Sequence, residues 1–305
     1  MNTSFSFAGD YEDAIEAYDK GDYKTAHSLL LKEANKGNPL AQNDLGIMYE
    51  DGIGVSEDYK EAVKWYRRSA EQGYAGAQNN LGIMYEYGRG VLQDLTEAVK
   101  WYRRSAEQGN AKAQSNLGYM YTNGKGVLKD DVEAVKWFRL AAEQGDATAQ
   151  NNIGVMYEDG KGVLQDLDEA VRWYRLSAEQ GNAKAQSNLG YMYANGKGVL
   201  KDDEEAVKWF RLSAEQGNAS AQNNLGVMYE DGAGVSQDYK EAARLFQLAV
   251  GQDYSLAKCN LAELYAAGLG IQKDLREAKR LAKEGYEEGI DYCKTIWDKY
   301  NLANE

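Results

Sequence analysis

The residues that could carry out chemistry are one histidine, two cysteines and several neighbouring carboxylate pairs. His27 has no cysteine or second histidine at ligand spacing, so neither a zinc site nor a Ser-His-Asp triad is predicted. Pairs such as Glu50-Asp51 could act as general acid and base, but they recur at Glu158-Asp159 and Glu230-Asp231. A catalytic pair does not need several copies. We therefore predict a protein with no enzymatic activity, no cofactor and no metal.

A second chemical motif, from Gly118 to Lys125, is similar to a phosphate-binding loop only on first inspection. Five residues separate Gly118 from Gly124, and Gly126 follows Lys125 where the loop requires serine or threonine. The lysine and the phosphate-facing hydroxyl of a true loop are therefore not both in place. We interpret the stretch as a turn that recurs along the chain.

Charge and composition bound the partners and the location. The 305-residue chain has a formal net charge of −13, which argues against nucleic acid or an anionic membrane, because both are polyanions. No apolar run approaches the roughly 20 residues that span a bilayer, and no secretory signal is recognised at the N-terminus, so membrane insertion is not expected and a cytoplasmic location is predicted. Cys259 and Cys293 are expected to be small, partly buried residues without a disulfide framework, although a bridge between them stays open.

A 36-residue repeat positions nearly every residue of the chain. Its marker is a glycine at positions 46, 82, 118, 154, 190 and 226, and Ala262 continues the series. A constant period of this size is typical of a solenoid, whose units bury their apolar faces by stacking on neighbours. We predict an all-α, α/α solenoid of tandem helix-turn-helix units. Residues 1–37 form a lead-in and a capping hairpin, residues 38–289 form seven repeats, and residues 290–305 form a capping helix.

Each unit is expected to contain two helices. The first begins after a capping residue such as Asn38 and ends at a glycine turn such as the one at Gly52. The second begins with a predicted capping box, for example Asp58 with Glu61, and carries a buried aromatic pair. Glycine inside a helix costs about 1 kcal/mol relative to alanine. The recurrence of Gly46 therefore suggests that a neighbouring helix approaches too closely for a side chain.

The motif Ala-x-x-x-Leu-Gly-x-x-Tyr, then Gly-x-Gly-Val, then Asp-x-x-Glu-Ala-x-x-Trp-Tyr resembles that of the SEL-one-like repeat family, a subgroup of tetratricopeptide-type repeats. It matches throughout residues 38–250 and weakly to 289. The resemblance implies a right-handed superhelix whose first helices line a concave face, and a scaffold or adaptor that binds a partner protein there. The alternative is a bacterial immunity protein that neutralises a cognate toxin. Family members often have proline where this chain has Leu92 and Leu128, and the cysteine-rich secreted branch pairs cysteines within each repeat, unlike this chain.

By the same resemblance, the partner-binding residues lie on the first helices and at their ends. The predicted partner is another protein or peptide with a basic or polar surface. The asparagines could bond to the backbone of that partner or to neighbouring backbone groups of the chain itself, and the sequence leaves both open. The predicted site comprises Asn43, Asn79, Tyr87, Asn116, Tyr119, Asn123, Asn152, Glu158, Asp159, Asn188, Tyr191, Asn195, Glu230 and Asp231.

A longer periodicity of 72 residues overlies the shorter one. The units that start at 110 and 182 are nearly identical: both carry a tyrosine, at Tyr119 and Tyr191, and end the first helix with Asn-Gly-Lys, whereas the units that start at 38, 146 and 218 carry Glu-Asp-Gly at that end. Recent duplication of a two-unit block explains this pattern, and so does a functional surface that alternates aromatic and acidic patches. Lysines and arginines gather on the second helices, where we expect a solvated face.

Overall fold

The computed structural model describes residues 9–302 of the chain. All regular structure in this part is helical, in seventeen helices, so the all-α prediction is confirmed. None of these helices is both long enough and apolar enough to cross a bilayer. The chain divides into two compact units, residues up to 149 with 161–163, and residues 150–160 with those from 164 onward.

A helical hairpin comes first, formed by α1 (Asp10–Asp19) and α2 (Tyr23–Asn35). Pairs of helices follow between residues 39 and 287, and we call the first helix of each pair an A helix and the second a B helix. The A helices are α3 (Pro39–Asp51), α5 (Ala75–Tyr87), α7 (Ala111–Asn123), α9 (Ala147–Asp159), α11 (Ala183–Asn195), α13 (Ala219–Asp231) and α15 (Ser255–Ala267). The B helices are α4 (Tyr59–Glu71), α6 (Leu95–Glu107), α8 (Asp131–Glu143), α10 (Leu167–Glu179), α12 (Asp203–Glu215), α14 (Tyr239–Val250) and α16 (Leu275–Glu287). Helix α17 (Asp291–Lys299) packs against α15 and α16.

The ends of the A helices follow from side chains that the sequence supplies. Before α3, the Asn38 Oδ1 accepts a hydrogen bond from the backbone N–H of Leu40 at 3.0 Å, which satisfies one of the free donors of the first turn. Tyr74 takes that place before α5 and makes no side-chain cap. At the other end of α3, Gly52 adopts a left-handed conformation with φ 66°, which glycine tolerates at little cost. The chain can therefore leave the helix and reverse.

The B helices begin with only half of the predicted capping box. Asp58 Oδ1 accepts a hydrogen bond from the Glu61 N–H at 3.0 Å. In place of the return bond to Glu61, the Asp58 N–H donates to the carbonyl oxygen of Tyr49 in the preceding A helix at 2.8 Å, and the Glu61 carboxylate pairs with Lys64. The start of each B helix is thus fixed to the A helix of its own repeat. The same bond to an A-helix tyrosine carbonyl is made by Asp94, Asp130, Asp166, Asp202, Asp238 and Asp274.

Within a repeat, the A and B helices meet where a glycine faces an aromatic ring. A Cβ atom placed on Gly46 would lie 2.5 Å from two ring carbons of Tyr66, and that ring is fully buried. The close approach predicted from the recurring glycine is therefore confirmed, and the approaching group is a side chain of the B helix. The same contact pairs Gly82 with Tyr102, Gly118 with Phe138, Gly154 with Tyr174, Gly190 with Phe210, and Gly226 with Phe246.

The last repeat changes both members of this contact together. Ala262 stands in the glycine position, and Ala282 stands in the position of the ring. Both alanines are fully buried. A methyl group gained on the A helix thus accompanies a ring lost from the B helix, and volume-compensating exchanges of this kind are the ones that protein cores tolerate best.

A disulfide joins the last repeat to α17, which corrects a prediction from the sequence. Cys259 in α15 and Cys293 in α17 are bonded, with an S–S distance of 2.07 Å, so the expectation of no disulfide framework is wrong. A Cβ atom on Gly285 would collide with the Cys293 sulfur, so this glycine leaves room for the bond. The cysteines are separated by 34 positions in the sequence, and this spacing did not predict the bond, because the pairing depends on how α17 folds back onto α15.

We expect Gly190→Ala to destabilise the protein, and to become stabilising once Phe210 is replaced by alanine. The added Cβ would lie 2.7 Å from Phe210 Cδ1, and overpacking costs about 1–3 kcal/mol. Without the ring, only the gain in helix propensity remains, about 1 kcal/mol. Denaturant unfolding of the two single variants and the double variant measures the coupling. An equal effect of Gly190→Ala in both backgrounds would show that the ring is not the reason for the glycine.

Loss of the disulfide is expected to destabilise α15–α17 selectively. A cross-link that closes a loop of this length stabilises by roughly 3–4 kcal/mol, so the double change of Cys259 and Cys293 to serine should raise hydrogen exchange in these helices and leave α3–α8 unchanged. Alkylation and mass measurement of the air-refolded wild-type protein provide the control. Two free thiols in that sample would contradict the disulfide itself.

Candidate protein-binding surface

The predicted asparagines lie on successive A helices and bond to one another. In the first of the two compact parts of the chain, which contains residues up to 149, Asn80 Nδ2 donates to Asn43 Oδ1 at 3.1 Å. There, Asn116 Nδ2 also donates to Asn79 Oδ1 at 3.0 Å. The sequence left open a bond to a partner's backbone or to the chain's own backbone, whereas these amides bond to side chains of adjacent repeats. We call this row the amide ladder; a role of its members in binding stays a prediction. In the second unit, Asn188 donates to Asn151, Asn260 donates to Asn223, and Asn151 donates to Asn152.

Tyr119 and Lys125 form an exposed pair at the end of α7. The tyrosine side chain is 41% exposed. Lys125 Nζ lies 3.0 Å from the Tyr119 hydroxyl oxygen and 4.8 Å from the ring centroid, and the hydrogen bond to Tyr119 raises the pKa of Lys125. Asn123 Nδ2 donates to the Tyr119 carbonyl oxygen at 2.8 Å, so this predicted residue secures its own helix end.

The same arrangement recurs in α11 with nearly the same geometry. Lys197 Nζ lies 3.2 Å from the Tyr191 hydroxyl oxygen and 4.7 Å from the ring centroid, and Asn195 Nδ2 donates to the Tyr191 carbonyl oxygen at 2.9 Å. Each pair presents an aromatic ring beside a cation at the end of an A helix. We call these two pairs the Tyr–Lys pairs.

The glutamates at the ends of the A helices have a structural partner in most cases. The Tyr66 hydroxyl donates to the Glu50 carboxylate at 2.7 Å, and the Tyr174 hydroxyl donates to the Glu158 carboxylate at 2.7 Å. Where the B helix carries phenylalanine in the place of that tyrosine, the A-helix position holds Thr122 or Ala194. A carboxylate and a tyrosine hydroxyl therefore occur together, and Glu158 is held by this bond. The Tyr102 hydroxyl likewise donates to the Glu86 carboxylate at 2.6 Å.

Glu230 breaks this rule, because it faces Phe246 and so has no tyrosine hydroxyl beside it. No hydrogen bond to its carboxylate is made by the residues that the structure describes, although the group is partly buried. Burial, together with the nearby charges of Glu263 and Asp231, raises the pKa of Glu230 to about 7. Glu263 itself is paired with Lys299, and the hydrogen bond from Lys299 helps to lower its pKa against the effect of burial.

The remaining predicted residues are exposed. Tyr87 has 61% of its side chain exposed, and the Arg89 guanidinium lies 5.5 Å from its ring centroid. Asp159 and Asp231 end their A helices at the surface. The predicted site residues thus differ in exposure: the tyrosines, Asn123, Asn195 and the two aspartates are exposed, whereas the other asparagines and the two glutamates are buried or partly buried.

Sequence reasoning missed two further features of the structure. Arg67, assigned to a solvated face, donates to the Tyr85 hydroxyl on the following A helix at 2.6 Å and so links neighbouring repeats. The leucines after the Gly-Val pairs are strongly exposed, Leu92 at 91% and Leu128 at 90%. Their departure from the proline of the resembled family was the only signal that could have identified them. Leu164 and Leu200 are both 91% exposed.

The candidate chemical residues form no metal site. Among residues 9–302, no group of three or more His, Cys, Asp or Glu side chains is arranged to hold a metal ion. His27 is partly buried, its Nε2 lies 3.2 Å from the Tyr49 hydroxyl oxygen, and burial lowers its pKa. His27 is thus a packing residue between the hairpin and α3.

Glu230→Gln is expected to stabilise the protein at about pH 8 and to have little effect at about pH 4. The carboxyl has a pKa near 4.5 when unperturbed and about 7 when folded, so the folded state binds the extra proton between these values. Stability therefore falls as pH rises through this range, and the penalty is complete above it. Thermal unfolding across pH measures the effect.

The matched control is Glu158→Gln, which weakens the bond from Tyr174. It is expected to destabilise the protein at about pH 8 by about 1 kcal/mol. A destabilising effect of Glu230→Gln at the same pH would contradict an unpartnered Glu230.

Comparison with known proteins identifies the repeat. A search of the curated proteins finds no match to the chain. The family model described as Sel1 repeat matches seven consecutive segments, residues 39–74, 75–110, 111–146, 147–182, 183–218, 219–254 and 255–290. Proteins with this repeat generally mediate protein–protein interaction, and the fold is generally a non-catalytic scaffold.

Two solved structures are similar over most of the chain. A Sel1 repeat protein from Oxalobacter formigenes is 38% identical, with a TM-score of 0.74 over 79% of this chain and 97% of that one. A protective antigen present in uropathogenic Escherichia coli strains, which displays an SLR fold, is 36% identical, with a TM-score of 0.76 over 92% of this chain. The chain spans only 64% of the length of that antigen.

More distant structures include an immunity protein from Pseudomonas aeruginosa, 21% identical with a TM-score of 0.45 over 75% of this chain and 82% of that one. A likeness at this level carries no argument about function. The seven repeat matches and the two closer structures confirm the predicted all-α solenoid. The chain belongs to the Sel1 repeat family.

Proposed function

We propose that this protein is a non-catalytic scaffold that binds another protein through the face formed by its A helices. The observation that carries the proposal is the pair of exposed tyrosines, Tyr119 and Tyr191, each held beside a lysine. Tyrosine is enriched among the residues that dominate interface energies. A ring that is already held in place loses less rotamer freedom on binding, which favours affinity.

The chemistry of this face suits a polar partner. Each Tyr–Lys pair offers an apolar ring, a hydroxyl and a cation, and the negative charge of Glu86 also acts on Lys125. A protein or peptide whose surface combines apolar groups with hydrogen-bond acceptors could satisfy these groups. The proposal includes no catalysis, because carboxylates such as Glu158 are engaged in structural bonds with tyrosine.

Location and the toxin-neutralising alternative stay predictions. The disulfide between Cys259 and Cys293 weighs against the cytoplasmic prediction, because disulfides persist mainly in oxidising compartments. Trapping of free thiols in intact cells would distinguish the cytoplasm, where the cysteines would be reduced, from an oxidising compartment, where they would be bonded. Protection of cells from a co-expressed candidate toxin would test the immunity hypothesis, which no contact among residues 9–302 specifically favours.

The proposal is tested with a partner captured by affinity from the native cell, identified by mass spectrometry and purified. The double variant Tyr119→Ala with Tyr191→Ala is expected to bind this partner at least about tenfold more weakly, since a truncated hot-spot tyrosine costs about 1–2 kcal/mol or more. Isothermal titration measures the change.

The matched control is Tyr286→Ala, which removes a tyrosine that is 49% exposed on the B helix α16. It should leave the affinity unchanged. Equal affinity of the wild type and the double variant would refute binding through the A-helix face.

A further inference from the structure

A small cleft lies among α1, α2 and α3, near the start of the chain. Its volume is about 240 Å³. Four of its six lining residues are aliphatic, and the other two are Tyr18 and the acidic Asp44. The lining residues are Ile15, Tyr18, Leu30, Asp44, Ile47 and Met48.

Asp44 is a half-buried carboxylate with hydrogen bonds but no cation. The Tyr11 hydroxyl donates to Oδ2 at 2.8 Å, and Asn43 Nδ2 donates to Oδ1 at 3.1 Å. None of the ion pairs formed in residues 9–302 includes Asp44, and burial raises its pKa. A carboxylate removed from water without a countercharge is costly, and each of its oxygens can accept a further bond.

The repeats show that an aspartate is not needed here for folding. The equivalent residue is asparagine in the following repeats, beginning with Asn80 and Asn116, where it belongs to the amide ladder. An asparagine at position 44 could accept the Tyr11 hydrogen just as well. The negative charge of Asp44 therefore has no role that the described contacts explain, and it faces an apolar cleft.

We propose that this cleft receives a lysine or arginine side chain of the bound protein. The aliphatic stem packs against Ile15 and Ile47, and the cationic head pairs with Asp44. Long basic side chains combine an apolar stem with a charged end, and this cleft offers the complement of each. The inference rests on the proposed function, because it assigns one contact of the same A-helix face.

The test uses the full chain with n-butylguanidinium as the probe, since this molecule carries the stem and the head group alone. Methyl NMR of isoleucine-labelled protein should show saturable shifts at Ile15 and Ile47. The methyl groups of Ile83, which occupies the equivalent place beside Asn80, provide the internal control and should not shift. n-Butanol should bind more weakly, and butyrate should not bind.

The decisive variant is Asp44→Asn, which reproduces the residue of the other repeats. It is expected to weaken the binding of n-butylguanidinium by about fivefold to tenfold, because a charge-assisted bond becomes a neutral one. The affinity for n-butanol should not change. Ile47→Ala should weaken the binding of both n-butylguanidinium and n-butanol. Unchanged affinity for the probe in Asp44→Asn would overturn the proposal.

Two other results would each overturn the proposal, because each would identify a different occupant of the cleft. If deletion of residues 1–8 raises the affinity for the probe tenfold, that segment occupies the cleft. If sedimentation shows self-association that Asp44→Asn abolishes, a second copy occupies it. The n-butylguanidinium test does not use the native partner, so a negative result there does not affect the Tyr119→Ala with Tyr191→Ala test of the proposed function. A negative result in the tyrosine test likewise does not affect the n-butylguanidinium test.

Discussion

The stacking of an aromatic ring over a glycine sets the distance between the two helices of a repeat, and the remaining contacts depend on it. The glycine costs about 1 kcal/mol of helix propensity, whereas a buried ring contributes roughly 3–5 kcal/mol, so the exchange favours the ring. The pair Ala262 and Ala282 indicates that the constraint is the volume between the helices. Tyrosine and phenylalanine both satisfy it, which frees the hydroxyl for a second use.

Once this distance is fixed, most polar side chains on the A helices face counterparts in the same or the next repeat. The amide ladder, the bond from Arg67 to Tyr85 and the bond from Tyr66 to Glu50 all use groups that would otherwise be available to a partner. The groups without such a counterpart occur where one repeat departs from the pattern. For this reason Asp44 has hydrogen bonds but no cation, and the Glu230 carboxylate has no tyrosine hydroxyl beside it. The Tyr–Lys pairs are exposed because their repeats carry a tyrosine at positions where Ile47 or Val155 stand elsewhere. Binding is therefore best sought at the departures.

The helices could be predicted from the sequence because local signals define them. Asn38, Gly52 and Asp58 each act on the backbone within a few residues, and the constant period multiplies the evidence. The capping box was only half right, because the Asp58 N–H finds a better acceptor at Tyr49 once the two helices are packed. The predicted binding residues lie on the A helices, and their role in binding stays a prediction. Their hydrogen bonds could not be predicted, because an asparagine side chain can bond equally well to backbone, side chain or partner.

The sequence by itself determined the repeat, its helices and its family, since period and caps are properties of short stretches. Only the tertiary structure decided which side chains find a bonding partner and which do not. Whether Glu230 meets a hydroxyl depends on residue 246, whether Asp44 meets a cation depends on the hairpin that precedes it, and whether Cys259 pairs depends on the path of α17. These are distances between residues far apart in the chain, and no local pattern encodes them, because packing brings such residues together only after the helices have formed.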